Sequence, residues 1–259
     1  MNFRRISVLA SNVFREVVRD RIFYIVGFYA FILAAALVLL PEFAASTEDK
    51  MFLDFGLAAM SFLGLIVAIF IGTGLVNKEI EKLTVLVLIT KPLSRSEFII
   101  GKYFGLLAVL AVFIAVMTVI YLGFLQLGNI PYPGSSILLA TIFLFLQLSL
   151  ITAVALTFGV FTSSLLATAL TLAVYLMGHV TQNILQLSHM SSNPSIQRMT
   201  QALYVVLPDF SRLDLKNAAV YGLIALPDTV SLVLNAGYGL IYTILFLAIA
   251  IFIFSQREF

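Results

Sequence analysis

Long apolar runs, separated by short polar breaks, are the dominant pattern along the chain. Crossing a hydrocarbon core takes about 20 helical residues, and an apolar run of about that length indicates a transmembrane helix rather than a strand. The sequence therefore predicts an all-α membrane protein with six transmembrane helices. They lie at about 22–40, 53–76, 99–127, 136–161, 164–187 and 231–254.

The break between the fourth and fifth runs is the least marked. Only Thr162, Ser163 and Ser164 separate them, so the alternative is one long apolar helix that continues through these residues. Six spans place both termini on the same side of the membrane, whereas five place them on opposite sides. The sequence alone leaves this alternative open.

Residues 4–21 have an amphipathic pattern instead. At 3.6 residues per turn their apolar side chains share one face and their polar side chains share the other, which is typical of a helix in the headgroup plane with arginines near anionic lipid. A signal peptide is disfavoured, because its apolar region is usually about 7 to 15 residues long and the run at 22–40 is longer. We predict an uncleaved elbow helix. Its apolar face contains Ile6, Leu9, Ala10, Val13, Phe14 and Val17, and its polar face Ser11, Asn12, Arg15 and Arg19.

Composition excludes several classes of protein. The chain is 61% hydrophobic and 11% charged, whereas soluble domains are about half apolar and about a quarter charged. The formal net charge is only +2 and the basic residues lie beside apolar runs, so no nucleic-acid partner is expected. The absence of cysteine excludes disulfides, thiolate metal sites and a cysteine nucleophile.

The lysines and arginines predict the orientation, because cytoplasmic loops carry an excess of them. With six spans, eleven lie on one side and four on the other. The side with eleven is predicted to be cytoplasmic, and it includes both termini and the insert at 77–102. The eleven are Arg4, Arg5, Arg15, Arg19, Arg21, Lys78, Lys82, Lys91, Arg95, Lys102 and Arg257, and the four are Lys50, Arg198, Arg212 and Lys216.

The insert at 77–102 is rich in charged residues and is interrupted by Pro92. Its apolar stretch 83–89 is too short to cross a membrane, and Pro92 disfavours helical geometry just before it. Ser94 and Glu97 match the S-x-x-E capping box, which predicts a new helix beginning at Ser94. Spacing alone equally allows an ordinary cytoplasmic loop.

The order of residues within this insert resembles the signature loop of ABC-2 type transporter permeases. The matching residues are Glu79, Glu81, Thr84, Pro92, Ser94, Arg95, Gly101 and Lys102. The resemblance implies that the insert couples the chain to a separate soluble ABC ATPase subunit, which would bind ATP and Mg. It also implies a second permease subunit, identical or paralogous, a location in the bacterial cytoplasmic (inner) membrane, and export as the usual direction.

The chain itself shows no motif for nucleotide, metal or catalysis. Gly101-Lys102-Tyr103 lacks the upstream Gly and the following Ser or Thr of a P-loop, and neither H-E-x-x-H nor G-x-S-x-G occurs. We therefore expect no catalytic residue, no metal site and no cofactor bound by this chain, and ATP hydrolysis in a partner.

One polar group stands out within a predicted span. His179, Thr181, Gln182 and Asn183 lie together, and such residues are costly against lipid, so they should face the bundle interior, another subunit or a water-filled cavity. Hydrogen bonding between helices is the favoured interpretation, and contact with substrate is the alternative.

Apart from His179 and the span-end Asp54, the membrane cores of the predicted spans contain no ionisable side chains. Ion-coupled transporters commonly carry membrane carboxylates, so an external energy source is favoured, and apolar walls suit an amphipathic or lipid-like substrate. A self-contained secondary transporter or channel, and a membrane scaffold that transports nothing, remain as alternatives.

Residues 188–230 are predicted to lie outside the cytoplasm. They are too apolar for a disordered linker. We expect short helices or re-entrant pieces that cap the bundle, with turns and helix caps at Pro208-Asp209 and Pro227-Asp228. The whole chain, 1–259, is expected to form a single transmembrane domain.

Overall fold

The computed structural model describes residues 3–19, 23–43, 47–81, 94–190 and 207–256, with side chains except at 23, 43, 75–81 and 181–190. These residues form helices and turns, and no strand occurs among them. The α-helices are α1 (Phe3–Arg19), α2 (Phe23–Phe43), α3 (Glu48–Glu81), α4 (Arg95–Leu127), α5 (Gly134–Phe161), α6 (Ser164–Met190), α7 (Lys216–Val220) and α8 (Thr229–Gln256). Two 3₁₀ turns, Phe210–Leu213 and Leu223–Ala225, flank α7.

Five of the helices are long and apolar enough to cross a membrane, namely α2, α3, α4, α5 and α8. They confirm five of the six predicted spans in length and composition. The helix α6 has 27 residues, but its described side chains form a shorter apolar helix, Ser164–Val180. The sixth span therefore stays a prediction.

The weak break after α5 separates two antiparallel helices. At Thr162 the backbone is extended, with φ −122° and ψ 170°, and its hydroxyl donates to the Phe158 carbonyl at 2.9 Å. Gln147 lies 16 residues before Ser163 and His179 lies 16 residues after it (163 − 147 and 179 − 163), and the two side chains are 3.2 Å apart. The chain thus turns back at Ser163, and α5 does not continue into α6.

The amphipathic helix α1 packs along α4. Ile6, Val13 and Val17 are buried, as the predicted apolar face requires. A Cβ at Gly105 would lie 2.6 Å from Val13 Cβ and 2.8 Å from the Ala10 carbonyl oxygen. A small residue at this position is therefore what lets the two helix backbones approach closely.

The helix α3 is longer than the predicted span. It continues to Glu81, about one turn beyond the expected end near 76, since residues 77–81 contain no glycine or proline to stop it. The coupling residues Glu79 and Glu81 are therefore on a continuous helix. Residues 82–93, with the predicted site residues Thr84 and Pro92, lie outside the described residues.

Residues 207–220, here called the re-entrant segment, run back between the helices. Pro208 and Phe210 pack directly against Gly178 of α6, in the space that a larger side chain at this position would occupy. Phe210, Leu213 and Ala219 are buried in the main apolar core. Of the two possibilities predicted for this region, short helices are shown, by the 3₁₀ turn Phe210–Leu213 and by α7. The rest of the predicted segment 188–230 continues through the second 3₁₀ turn to α8, while 191–206 lie outside the described residues.

Candidate coupling junction and polar cluster

The start of α4 carries the predicted capping box. The Ser94 hydroxyl accepts a hydrogen bond from the Glu97 amide at 3.2 Å, and the Glu97 carboxylate accepts one from the Ser94 amide at 3.2 Å. Two amide groups that the first helical turn would leave without partners are thereby satisfied. The prediction that a helix begins here is confirmed.

Glu97 also links α4 to α1. Its carboxylate lies 3.9 Å from the Arg5 guanidinium, and the Glu97 side chain is only 5% exposed. A carboxylate this buried needs a nearby cation or hydrogen-bond donors. The capping box and Arg5 together supply them.

Arg95 links the start of α4 to the end of α8. Its guanidinium donates to the carbonyl oxygens of Phe254, at 3.1 Å, and of Ser255. The last carbonyls of a helix have no partner within the helix, and a cation there also interacts favourably with the helix dipole. The rings of Phe98 and Phe254 stack beside this contact, with centroids 5.5 Å apart.

Gly101 and Lys102 lie about two turns after Arg95 along α4, and both are buried. A Cβ at Gly101 would lie 2.8 Å from Leu9 Cβ, so this glycine belongs to the contact with α1. Lys102 is 3% exposed and its ammonium lies 5.6 Å from the centre of the Phe98 ring. This position favours a local interaction of the ammonium over a bond to lipid phosphate.

These contacts define the junction: Ser94, Arg95, Glu97, Gly101 and Lys102 of α4, with α1 and the end of α8. The structure brings together four of the residues predicted for coupling, Ser94, Arg95, Gly101 and Lys102, with Glu97 of the predicted capping box. The side chains of Glu79 and Glu81 are not among those described, so the junction is defined without them.

A second polar site lies halfway along the helices. Gln147 is the fourteenth of the 28 residues of α5, and His179 is the sixteenth of the 27 residues of α6. The Nε2 atoms of the two side chains are 3.2 Å apart. The other ring nitrogen, Nδ1, lies 3.1 Å from the Tyr175 carbonyl oxygen. A carbonyl only accepts, so Nδ1 carries a proton and, in the neutral ring, Nε2 accepts from Gln147.

The re-entrant segment adds charged groups to this site. Asp214 Oδ2 lies 3.7 Å from His179 Nε2 and 2.7 Å from the Lys216 ammonium. Burial raises the pKa of the Asp214 carboxyl, but hydrogen bonds from His179 and Lys216 and the charge of Lys216 outweigh it, so that its pKa falls below the usual value. Asp214 is therefore a carboxylate at neutral pH. We call Gln147, Tyr175, His179, Asp214 and Lys216 the polar cluster.

A second ion pair stands beside the polar cluster. Arg212 Nε lies 3.2 Å from Asp209 Oδ2, and the guanidinium lies 4.8 Å from the centre of the Tyr238 ring on α8. The Asp209 carboxylate also accepts from the Ser211 amide at 3.1 Å and caps the 3₁₀ turn. The cap predicted at Pro208-Asp209 is confirmed.

These pairs come from outside the predicted spans, whose cores were expected to hold no ionisable side chain besides His179 and the span-end Asp54. The re-entrant segment brings Asp214 and Lys216 beside the middle of α5 and α6. Sequence reasoning missed this because both residues are distant from any apolar run that could span a membrane.

The predicted neighbours of His179 stay untested. Thr181, Gln182 and Asn183 are on α6, but their side chains are not among those described. In the described structure, the residues grouped around His179 are instead Gln147, Tyr175, Asp214 and Lys216. The only sequence signal for any of these residues was that Gln147 is a polar residue in the middle of α5.

The chain matches the family described as ABC-2 family transporter protein over residues 7–259. It belongs to the ABC-2 transporter family. Among curated proteins, no relative matches it. The chain is thus the integral membrane permease subunit of an ABC transporter, a family in which ATP is hydrolysed by a separate subunit and a second permease is usual.

The described residues of this ABC-2 permease were considered as possible metal ligands. No three His, Asp, Glu or Cys side chains within 3–19, 23–43, 47–81, 94–190 and 207–256 are grouped closely enough to hold an ion.

Proposed function

We propose that this permease is the six-span subunit of an ATP-driven exporter, with both termini in the cytoplasm and residues 77–102 as the element that docks on the ATPase. The substrate that fits it best is amphipathic or lipid-like, because most of the spanning surface is apolar. The orientation rests on the excess of lysine and arginine on the side of both termini.

The observation that carries the proposal is the junction. The helix that leaves the coupling insert is tied to α1 through Glu97 and Arg5 and to the end of α8 through Arg95. A movement of the insert is therefore passed directly to two other helices. ATP binding in the partner can shift the bundle between two states only through contacts that differ between those states, and these ties are candidates.

The test reverses the charge of the two acidic residues on the end of α3. In the Glu79→Lys/Glu81→Lys double variant we expect recovery of the partner ATPase with the permease, and transport-stimulated ATP turnover, to fall about tenfold or more, which corresponds to about 1.4 kcal/mol of lost interaction. The measurement is affinity purification from the native membrane followed by assay of ATP turnover.

The matched control is Glu16→Lys, which reverses an exposed carboxylate on the same predicted side of the membrane. It should leave both readouts unchanged. Full recovery and turnover with the double variant would contradict the coupling role. A wild-type permease that moves substrate without any co-purifying ATPase would instead support a secondary transporter.

A further inference from the structure

The polar cluster contains a histidine with two competing partners on different parts of the fold. His179 Nε2 lies 3.2 Å from the amide nitrogen of Gln147 on α5 and 3.7 Å from the carboxylate of Asp214 on the re-entrant segment. The neutral ring can accept only from Gln147, whereas the protonated ring gains the carboxylate as a charged acceptor. The neutral Nε2 is an acceptor and takes the Gln147 N–H, whereas a protonated Nε2 is a donor and suits the carboxylate.

We propose that His179 is a proton-binding site that holds the re-entrant segment closed when occupied. Uptake of one proton turns Nε2 into a donor, and the carboxylate of Asp214 becomes its charged acceptor. The Gln147 amide can no longer donate to Nε2, and its oxygen competes for the same proton only as a neutral acceptor. The new bond joins two ions and is stronger than the neutral bond it replaces.

The side chains of this site are partly exposed. The side chains of His179, Asp214 and Lys216 are 23%, 17% and 28% exposed, respectively. A second bond keeps the ring in place during the exchange, since Nδ1 donates to the Tyr175 carbonyl in both states. Phe210 of the re-entrant segment also stacks on the ring, with centroids 5.9 Å apart and planes inclined by 14°.

Several charged and titratable groups face His179 among the described residues. Asp214 favours the protonated ring, and Lys216, at 2.7 Å from the same carboxylate oxygen, opposes it. Tyr175 adjoins the ring on α6 itself, and Gln147 on α5 carries no charge. The ion pair of Arg212 with Asp209 adds no net charge. Since the proton binds the closed segment more tightly than the open one, acid favours closure and a rising pH releases it.

The absence of cysteine makes opening measurable by thiol labelling. Val220 is 6% exposed, so the thiol of Val220→Cys reacts only when the segment opens, whereas Asn217 on the same short helix is exposed. Purified complex in nanodiscs leaves both membrane faces accessible to a maleimide. The ratio of the two labelling rates cancels the thiolate fraction, which itself changes with pH.

We expect the rate ratio of Val220→Cys to Asn217→Cys to fall about five- to tenfold between pH 8 and pH 5.5, the size of effect that one charge-assisted hydrogen bond gives. In the background of His179→Gln, which cannot be protonated, the ratio should not change with pH. Asp214→Asn should give the same flat profile. With Lys216→Met the fall should occur at higher pH, because the opposing charge is gone.

A flat wild-type profile would overturn the proposal, and so would an unchanged fall in His179→Gln. Should that variant not fold, Asp214→Asn decides the question by itself. The result is independent of the direction of transport and of any ATPase contact, because it reports only opening of the re-entrant segment.

Discussion

The junction at the start of α4 and the polar cluster in the middle of the bundle hold their charges in different ways. At the junction, Arg95 donates to the carbonyl ends of α8 and Glu97 accepts from a helix start, so each charge is matched to a helix end. In the polar cluster, Asp214 is matched to Lys216 and His179 instead. We therefore expect the junction to respond to movement of helices and the cluster to the charge state of side chains.

The strongest expected effect comes from the contact between α1 and α4. Gly105→Ala should lower the free energy of unfolding by about 1–3 kcal/mol, because the new methyl group meets the Ala10 carbonyl oxygen and Val13 Cβ at under 3 Å. Thermal unfolding in mild detergent measures the change.

Gly123→Ala is the control on the same helix, since nothing lies within 4 Å of a Cβ there. Alanine has the higher helix propensity, so this variant should be unchanged or more stable by at most about 1 kcal/mol. Equal stability of both variants would mean that α1 does not depend on the close approach, and that the junction is held by its charges alone.

A smaller effect is expected from the carboxylate of the polar cluster. Asp214→Asn should cost about 1–2 kcal/mol at neutral pH, since it leaves Lys216 without its partner in a partly buried site. Thermal unfolding as a function of pH, with wild type alongside, measures it. The analogous change at the junction, Glu97→Gln, provides the comparison.

The pH dependence of this cost has a definite sign. The folded protein holds the pKa of Asp214 below its usual value, so the carboxylate stabilises the fold above the unfolded pKa, at about 3.9. That contribution is lost as the pH falls through the lower folded pKa. The difference between wild type and Asp214→Asn should therefore shrink on the acid side of about pH 4. A difference that persists at full size there would show that the charge of Asp214 is not what stabilises the segment.

The smallest effect is expected at the end of α8. Arg95→Gln removes the cation that binds the carbonyl oxygens of Phe254 and Ser255, and an exposed tie of this kind contributes about 0.5–1 kcal/mol. Amide hydrogen exchange in the last turn of α8 should quicken about two- to fivefold. Arg15→Gln, at an exposed position on α1, should leave it unchanged. No change with Arg95→Gln would show that this contact does not stabilise the last turn of α8.

Local sequence patterns predicted the junction better than the polar cluster. The S-x-x-E spacing identified the start of α4, because a capping box is formed by residues three apart. The apolar face of α1 was equally readable from its 3.6-residue period. The contact of Arg95 with α8 was missed, since it joins residues 159 positions apart.

The polar cluster left a weaker trace in the sequence. His179 was recognised as a costly residue within a span, but its predicted neighbours on α6 are adjacent in the chain rather than across the bundle. Its described partners come from α5 and from the re-entrant segment, at separations such as the 32 residues to Gln147. No periodicity connects such residues.

By itself the sequence determined what depends on composition and short-range spacing: an all-helical membrane protein, its long apolar helices, the cap at Ser94, and membership of the ABC-2 family. Those features follow from the cost of exposing backbone groups and charges to hydrocarbon. Only the tertiary structure decided that the chain turns back at Ser163 with α6 beside α5, that α1 lies in the groove at Gly105, and that Asp214 meets His179. Each of these depends on which surfaces fit together, and that fit involves residues far apart in the chain.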